Sequence, residues 1–237
     1  MSLGANRNVL YNNEGGMMSI KKRIEEILKE VPENVTVIAA TKTRTVQEIL
    51  EAIEAGIDII GENYVQEAEQ KFHIIGRKVR WHLLGHLQKN KVEKAMNIFD
   101  MVETVDNMKL ANMIDKIALV KGIVYPVLVE VNSGREPEKS GVFPEAAGTL
   151  IIGMSNLQNI KVQGLMTMGP LLDNPQDIRP YFKLVKELFE QLKGMRLPGV
   201  EMKYLSMGMS DTWRIAIEEG ANIIRLGTTI FGPRKSN

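Results

Sequence analysis

A lysine, a serine and an arginine stand at positions where their chemistry could be used. Lys42 follows residues 35–41, an apolar and β-branched run that predicts a buried strand. Partial burial disfavours the ammonium form, lowers the pKa of the amine and frees it to attack a carbonyl. Because most lysines at strand ends are solvated, the prediction of a reactive amine depends on the segments that follow.

Two loops near the end of the chain have the composition of a phosphate site. Gly208 allows close approach of the backbone, and Ser210 with Asp211 opens a predicted helix, whose N–H groups and dipole favour an anion. Gly227 and Thr228 follow the last predicted strand and offer further N–H groups and a hydroxyl. A simple N-cap role for Ser210 is the alternative, and this pattern alone leaves both open.

Arg225 ends the apolar run of the last predicted strand. A guanidinium cannot give up its proton, so beside a pyridine nitrogen it can only donate, and the ring stays unprotonated. An ordinary ion pair with a glutamate is the alternative. A reactive lysine, a phosphate site and an arginine together fit pyridoxal 5′-phosphate (PLP), which carries an aldehyde, a phosphate and a pyridine nitrogen.

The elements that must bring these residues together alternate between helical and strand patterns from residue 19 onward. An amphipathic helix over residues 19–31 precedes about eight short strands, each separated from the next by a helix. This alternation predicts parallel strands and a closed (β/α)8 barrel of the TIM type with an extra N-terminal helix. An open doubly wound sheet is the alternative, but no glycine-rich dinucleotide motif follows the first strand.

In such a barrel the carboxyl ends of the strands share one rim, where ligands bind. Lys42, Ser210 and Arg225 all lie at predicted strand ends, so we expect them at one site. We expect residues 17–237 to form a single domain. Residues 1–16 are polar, glycine-rich and aperiodic, which is typical of a disordered leader or a tag-derived segment.

The composition excludes several classes of protein. The chain has 30 Lys and Arg against 29 Asp and Glu, so nothing indicates nucleic acid or a membrane as a partner. The absence of cysteine excludes disulfides and thiolate chemistry and is compatible with the cytoplasm. His82 and His86 would lie about 13 Å apart on an extended strand, too far to share a metal. We interpret His82 as a polar residue inside the barrel and His86 as a loop residue.

The strand-end motifs resemble those of the pyridoxal phosphate homeostasis protein family, which is similar to the barrel domain of alanine racemase. The resemblance covers nearly everything from about residue 19 to residue 234. The matching segments are residues 37–42, 61–67, 81–91, 164–168, 205–211 and 225–232.

The resemblance implies a role for each candidate residue. Lys42 would form the internal aldimine with PLP, and Arg225 would face the pyridine nitrogen. Ser210 would hold the phosphate together with the backbone of Gly227 and Thr228. The other residues implied to line the cofactor are Asn63, Ser206 and Met207.

The resemblance also implies a PLP carrier in vitamin B6 homeostasis, without strong catalytic activity. An arginine-paired pyridine is a poor electron sink, and racemases of similar type add a second base, a tyrosine from a β-rich domain of the neighbouring subunit. Because the chain ends at Asn237, soon after the last strand, we expect no such domain. We expect a monomer whose partners are PLP and either PLP-dependent apoenzymes or amino acids.

Three other functions stay open at this point. A racemase or related amino-acid-acting enzyme would need Tyr64 or His82 as its second base. A Schiff-base aldolase would use Lys42 on a sugar phosphate. A purely protein-binding barrel has only the charged loop at residues 132–141 in its favour.

Overall fold

In the computed structural model, which describes residues 18–233, short parallel strands pair in chain order, and the last pairs with the first to close the sheet. The strands are β1 (Thr36–Ala40), β2 (Ile59–Glu62), β3 (Arg80–Leu83), β4 (Met101–Val105), β5 (Tyr125–Glu130), β6 (Ile160–Met166), β7 (Val200–Ser206) and β8 (Ile223–Leu226). The helices are α1 (Ile20–Glu30), α2 (Val46–Glu54), α3 (Val65–Ile75), α4 (Val92–Ile98), α5 (Met108–Lys121), α6 (Pro144–Met154), α7 (Arg179–Gly194), α8 (Trp213–Glu218) and α9 (Thr228–Phe231).

Helix α1 precedes the barrel and forms for local reasons. The Ser19 side chain accepts a hydrogen bond from the Lys22 N–H, which caps the first turn. Ile20, Ile24 and Ile27 recur at helical spacing and are buried. This face packs against α2 and α9, so the extra helix covers the place where the barrel closes.

The strands divide the apolar residues between two regions. Val37 of β1 and Ile224 of β8 belong to the large core between the barrel wall and the helices. Ile38 and Ile223 belong to a small cluster inside the barrel. Because strand side chains alternate between faces, the register also decides which polar residues enter the interior. It pairs Ile38 with Arg225 between β1 and β8.

The junction between β7 and β8 has the shortest pairing register of the described barrel. Its register consists of Ser206 opposite Ile223. The Asn222 side chain supplements this pairing, since its Oδ1 accepts from the Leu205 N–H at 2.7 Å and its Nδ2 donates to the Lys203 carbonyl at 2.7 Å. A side chain here replaces part of the backbone ladder.

The predicted (β/α)8 barrel with an extra N-terminal helix is confirmed, and the open sheet is excluded. Among the differences from prediction, β2 lies two residues later than the expected 57–60, and the expected loop after β8 contains helix α9. The predicted leader at residues 1–16 lies outside the described residues, so the domain boundary stays a prediction. Within residues 18–233, no helix is both long and apolar enough to cross a bilayer.

Candidate functional site

Lys42 lies two residues beyond β1, in a turn at the carboxyl-terminal rim of the barrel. The residue is half-buried, between the buried Thr41 and the exposed Thr43. Ile38 and Ala40 pack in the interior cluster. Because side chains alternate along a strand, Lys42 continues their row toward the barrel axis. Lys42 therefore lies at the rim of the barrel, where the sequence predicts it.

Arg225 lies inside the barrel and is only 2% exposed. Its Nη1 donates to Ser206 Oγ at 2.6 Å, and its Nη2 donates to the Thr167 carbonyl at 2.7 Å and lies 3.6 Å from Met168 Sδ. These contacts fix the plane of the guanidinium. Its Nε–H is buried and has no hydrogen-bond partner among the described residues. A buried donor of this kind is expensive to leave unpaired, so the site fits a ligand that presents an acceptor.

A buried carboxylate behind Arg225 balances its charge. Glu103 Oε2 accepts from Ser206 Oγ at 2.6 Å, and Glu103 Oε1 lies 2.6 Å from His82 Nδ1. Burial opposes ionisation of Glu103, but the hydrogen bond and charge of His82, the charge of Arg225 and the Ser206 hydroxyl outweigh it. The pKa of the Glu103 carboxyl therefore lies below its usual range. Instead of the ordinary ion pair considered above, Arg225 and Glu103 are linked through the Ser206 hydroxyl, which accepts from the guanidinium and donates to the carboxylate.

A second glutamate lies beside a cavity at the same rim. Burial raises the pKa of Glu130 to about 7, with the charge of Asp106 adding to the shift and that of Arg225 opposing it. Glu130 Oε2 has no hydrogen-bond partner within residues 18–233. The cavity has a volume of about 230 Å³, and Glu130, Asn63 and Met168 are among its lining residues. It therefore adjoins the contacts of Arg225 through Met168.

The two predicted phosphate loops meet above the β7–β8 junction. Ser210 Oγ accepts from the N–H of Gly227 at 3.4 Å and from that of Thr229 at 3.3 Å. Helix α8 begins at Trp213, with Thr212 as its N-cap, so the expected helix start at Ser210 and Asp211 was wrong. Ser210 does not cap that helix, because its hydroxyl is directed to the next loop. Both contacts are long, which leaves these N–H groups available to a stronger acceptor.

The glycines of the two loops are there for different reasons. A Cβ at Gly208, where φ is +93°, would lie 2.5 Å from Ala216 Cβ, so the fold itself requires glycine. A Cβ at Gly227 would meet nothing nearer than the Ala40 carbonyl oxygen at 3.6 Å, and φ there is −109°. Neither packing nor backbone geometry demands glycine at this position. An open approach to the Gly227 N–H is what the missing side chain provides.

The other predicted residues divide between the interior and the outer core. Asn63 lines the cavity, and Ser206 is fully buried between Glu103 and Arg225. Thr228 is exposed at the start of α9. Met207 was predicted to line the cofactor, and its side chain is fully buried in the core between barrel and helices. Alternation after Ser206 turns it outward, so only its backbone can line the rim.

The sequence reasoning missed three interior residues, Glu103, Glu130 and Thr167. Each glutamate falls within an apolar strand, where a charged residue needs a buried partner. A glutamate within an otherwise apolar strand was therefore the sequence feature that could have identified Glu103 and Glu130 as interior residues. Thr167 acts through its carbonyl oxygen, and no sequence pattern indicates such a role.

The two histidines are placed as predicted. His82 is buried inside the barrel against Glu103, and His86 is exposed. In the described part of the chain, no group of three or more His, Cys, Asp or Glu residues could hold a metal ion. Tyr64 is 63% exposed at the start of α3. His82 is engaged with Glu103 beneath the rim, which argues against it as a mobile second base.

Comparison with known proteins gives a consistent family. The sequence model described as alanine racemase, N-terminal domain, matches residues 17–235. A pyridoxal phosphate homeostasis protein from Aquifex aeolicus is 43% identical over 84% of this chain and 86% of its own length. One from Haemophilus influenzae is 36% identical over 94% of this chain and 96% of its own length.

A solved structure agrees with this. PipY of Synechococcus elongatus, with PLP bound, is 34% identical, superposes with a TM-score of 0.84, and covers 90% of this chain and 100% of its own. The chain therefore belongs to the pyridoxal phosphate homeostasis protein family, within the alanine racemase N-terminal domain family.

Proposed function

We propose that this protein binds PLP at the barrel mouth and holds it as a carrier in vitamin B6 homeostasis, with Lys42 attached to the cofactor. The observation that carries the proposal is the buried, unpartnered Nε–H of Arg225, held in place by Ser206 and Thr167. When bound, PLP supplies an electrophilic aldehyde, a pyridine nitrogen that accepts a hydrogen bond, and a phosphate. The relatives' names and the PLP in PipY support the same ligand.

Each group of the cofactor has a matching group in this chain. Lys42 supplies the amine for the aldehyde. Arg225 would face the ring nitrogen, and its Nε–H is the donor that lacks a partner among the described residues. Ser210 and the N–H groups of Gly227 and Thr228 bind the phosphate, with the short α9 behind them. Asn63 lines the adjoining cavity.

The arrangement favours holding over turnover. Burial lowers the pKa of the Arg225 guanidinium, and the charges of Glu103 and Glu130 oppose that shift. An arginine keeps its proton at neutral pH all the same, so it cannot protonate the ring and make it a strong electron sink. PLP-dependent apoenzymes are the proposed recipients. The lack of cysteine is compatible with a cytosolic location, and a monomer suffices because one chain supplies every group named.

Absorbance spectroscopy tests the proposal. The purified protein incubated with PLP should show a visible band, and borohydride should fix PLP on the Lys42 peptide. Lys42→Ala should lose both signals, whereas Lys89→Ala, which removes an exposed lysine from the same rim, should keep them. A visible band that survives Lys42→Ala would contradict the assignment. Turnover of L-amino acids detected by chiral analysis would instead favour an enzyme.

A further inference from the structure

The turn that carries Lys42 is held from outside the barrel through its backbone. The carbonyl of Thr41, directly before Lys42, accepts from Lys71 Nζ at 2.7 Å. The N–H of Thr43, directly after it, donates to Glu67 Oε1 at 2.6 Å. The peptide groups on both sides of Lys42 are therefore hydrogen-bonded to two side chains of one helix, α3.

Those two side chains are coupled to each other and to the barrel wall. Lys71 Nζ lies 2.7 Å from Glu67 Oε1, one helical turn away, and 2.6 Å from Glu62 Oε1 on β2. Glu62 also accepts from the Thr41 hydroxyl at 2.6 Å. Lys71 is only 7% exposed and Glu62 is fully buried. Buried ionic groups tolerate little displacement, so this cluster restrains the position of the turn at residues 41–43.

The turn needs such a restraint because of the backbone conformation of Thr43. Thr43 has φ of +65°, a left-handed conformation that a β-branched residue rarely adopts. Residues held in this region persist only when the surroundings over-determine them. The bond from Thr43 N–H to Glu67 is a direct restraint on that conformation.

We propose that Glu67 and Lys71 are positioning residues for Lys42, which hold the turn at residues 41–43 so that its amine faces the cofactor site. Glu67 fixes the peptide after Lys42, and Lys71 fixes the peptide before it. Both side chains reach the turn from α3, and neither is among the residues that line the cavity at the rim. The effect of these residues on Lys42 rests on the proposed PLP site, but the restraint that they place on the turn can be measured without PLP.

A purely structural ion cluster is the competing explanation, in which Glu62, Glu67 and Lys71 only attach α3 to the sheet. The two explanations differ at Thr43. A structural cluster predicts that loss of Glu67 affects global stability alone. A positioning role predicts a local change at the turn and slower attachment at Lys42 with the rest of the barrel unchanged.

Amide hydrogen exchange of the PLP-free protein is the first test. Glu67→Ala should speed exchange of the Thr43 amide about tenfold, the effect of removing one hydrogen bond to a charged acceptor. Glu67→Gln keeps an oxygen acceptor and should restore much of the protection. Glu69→Ala is the matched control: it removes an ion pair between Glu69 and Lys94 from the same helix, remote from the turn. Equal protection of Thr43 in all four proteins would overturn the proposal.

Borohydride trapping with PLP is the second test. The rate at which PLP becomes fixed on Lys42 should fall at least about tenfold in Glu67→Ala, because misplacement of a reacting group by about 1 Å has effects of this size or larger. Glu69→Ala should match wild type. A wild-type rate in Glu67→Ala would overturn the proposal. If wild type itself fixed no PLP on Lys42, the proposed function would fail, and Thr43 exchange would still decide whether Glu67 holds the turn.

Discussion

At the scale of single residues, the interior of this barrel is organised around one cation. Arg225 is compensated by Glu103 through the Ser206 hydroxyl, and Glu103 is held in turn by His82. Because these groups satisfy one another, the guanidinium orientation does not depend on a ligand. The guanidinium is therefore preorganised, with its Nε–H as the buried donor that lacks a partner among the described residues.

Glu130 gives the residue-scale prediction, which concerns pH. Burial, with the Asp106 charge adding and the Arg225 charge opposing, raises its pKa from 4.5 to about 7, so between these values the folded protein keeps a proton that the unfolded chain releases. This contribution to stability is fully present below about pH 4.5 and is lost as the pH rises through about 7. Glu130→Gln has no such loss. The free energy of unfolding of Glu130→Gln minus that of wild type should therefore rise by about 2 kcal/mol between pH 5 and pH 8.

Urea unfolding of the PLP-free proteins at a series of pH values measures this difference. Glu138→Gln, which changes an exposed glutamate on the loop that follows β5, is the matched control for removing a negative charge. Parallel pH curves for wild type and Glu130→Gln would show that Glu130 titrates alike in the folded and unfolded states, against the prediction.

At the scale of elements, the alternation of helices and strands was enough to predict the barrel. What it could not predict were positions set by distant partners. Residues 57–60 were predicted as β2 instead of Ile59–Glu62, because a fully buried Glu62 requires Lys71 and Thr41. Helix α8 was predicted to begin near Asp211, with Ser210 as its N-cap, but it begins at Trp213, and the Ser210 hydroxyl accepts from the Gly227 N–H instead.

The candidate site shows the same division. The rim positions of Lys42 and Arg225 were predictable because each ends an apolar run at a rim that parallel topology creates. The interior position of Glu103 was not, because the groups that make its burial tolerable, His82 and then Arg225, are on other strands. Met207 was placed at the rim on motif position alone, and one step of strand alternation moves its side chain to the outer core.

Gly227 gives the element-scale prediction. Gly227→Ala should leave the free energy of unfolding within about 1 kcal/mol of wild type, because φ is −109° and no protein atom lies within 3.5 Å of the new Cβ. Its affinity for PLP should fall about tenfold or more, because the methyl group obstructs the phosphate's approach to the N–H. Equilibrium dialysis with PLP and urea unfolding measure the two effects.

Gly208→Ala is the contrasting variant for this experiment. At φ of +93°, with Ala216 Cβ at 2.5 Å, it should lose stability by more than about 1 kcal/mol whether or not PLP is present. Unchanged PLP affinity in Gly227→Ala would count against a phosphate at this loop.

At the scale of the whole molecule, closure of the barrel depends on the junction of β7 with β8. Asn222→Ala removes two side-chain hydrogen bonds, to the Leu205 N–H and the Lys203 carbonyl. We expect it to destabilise the protein by about 1–3 kcal/mol and to speed exchange of the Leu205 amide. Asn156→Ala is the control, since that amide donates to the Ile152 carbonyl at the exposed end of α6. Equal urea midpoints for the two variants would contradict this role for Asn222.

The first and last elements of the described chain pack against each other. Strand β1 is bordered by β8, α1 packs on α9, and the Arg44 guanidinium donates to the carbonyls of Phe231 and Gly232. A nascent chain therefore contains Lys42 long before it contains Arg225 and the Gly227 loop. Until β8 has been synthesised, β1 has an unpaired edge. The proposed PLP site is therefore complete only once β8 and α9 have joined the barrel.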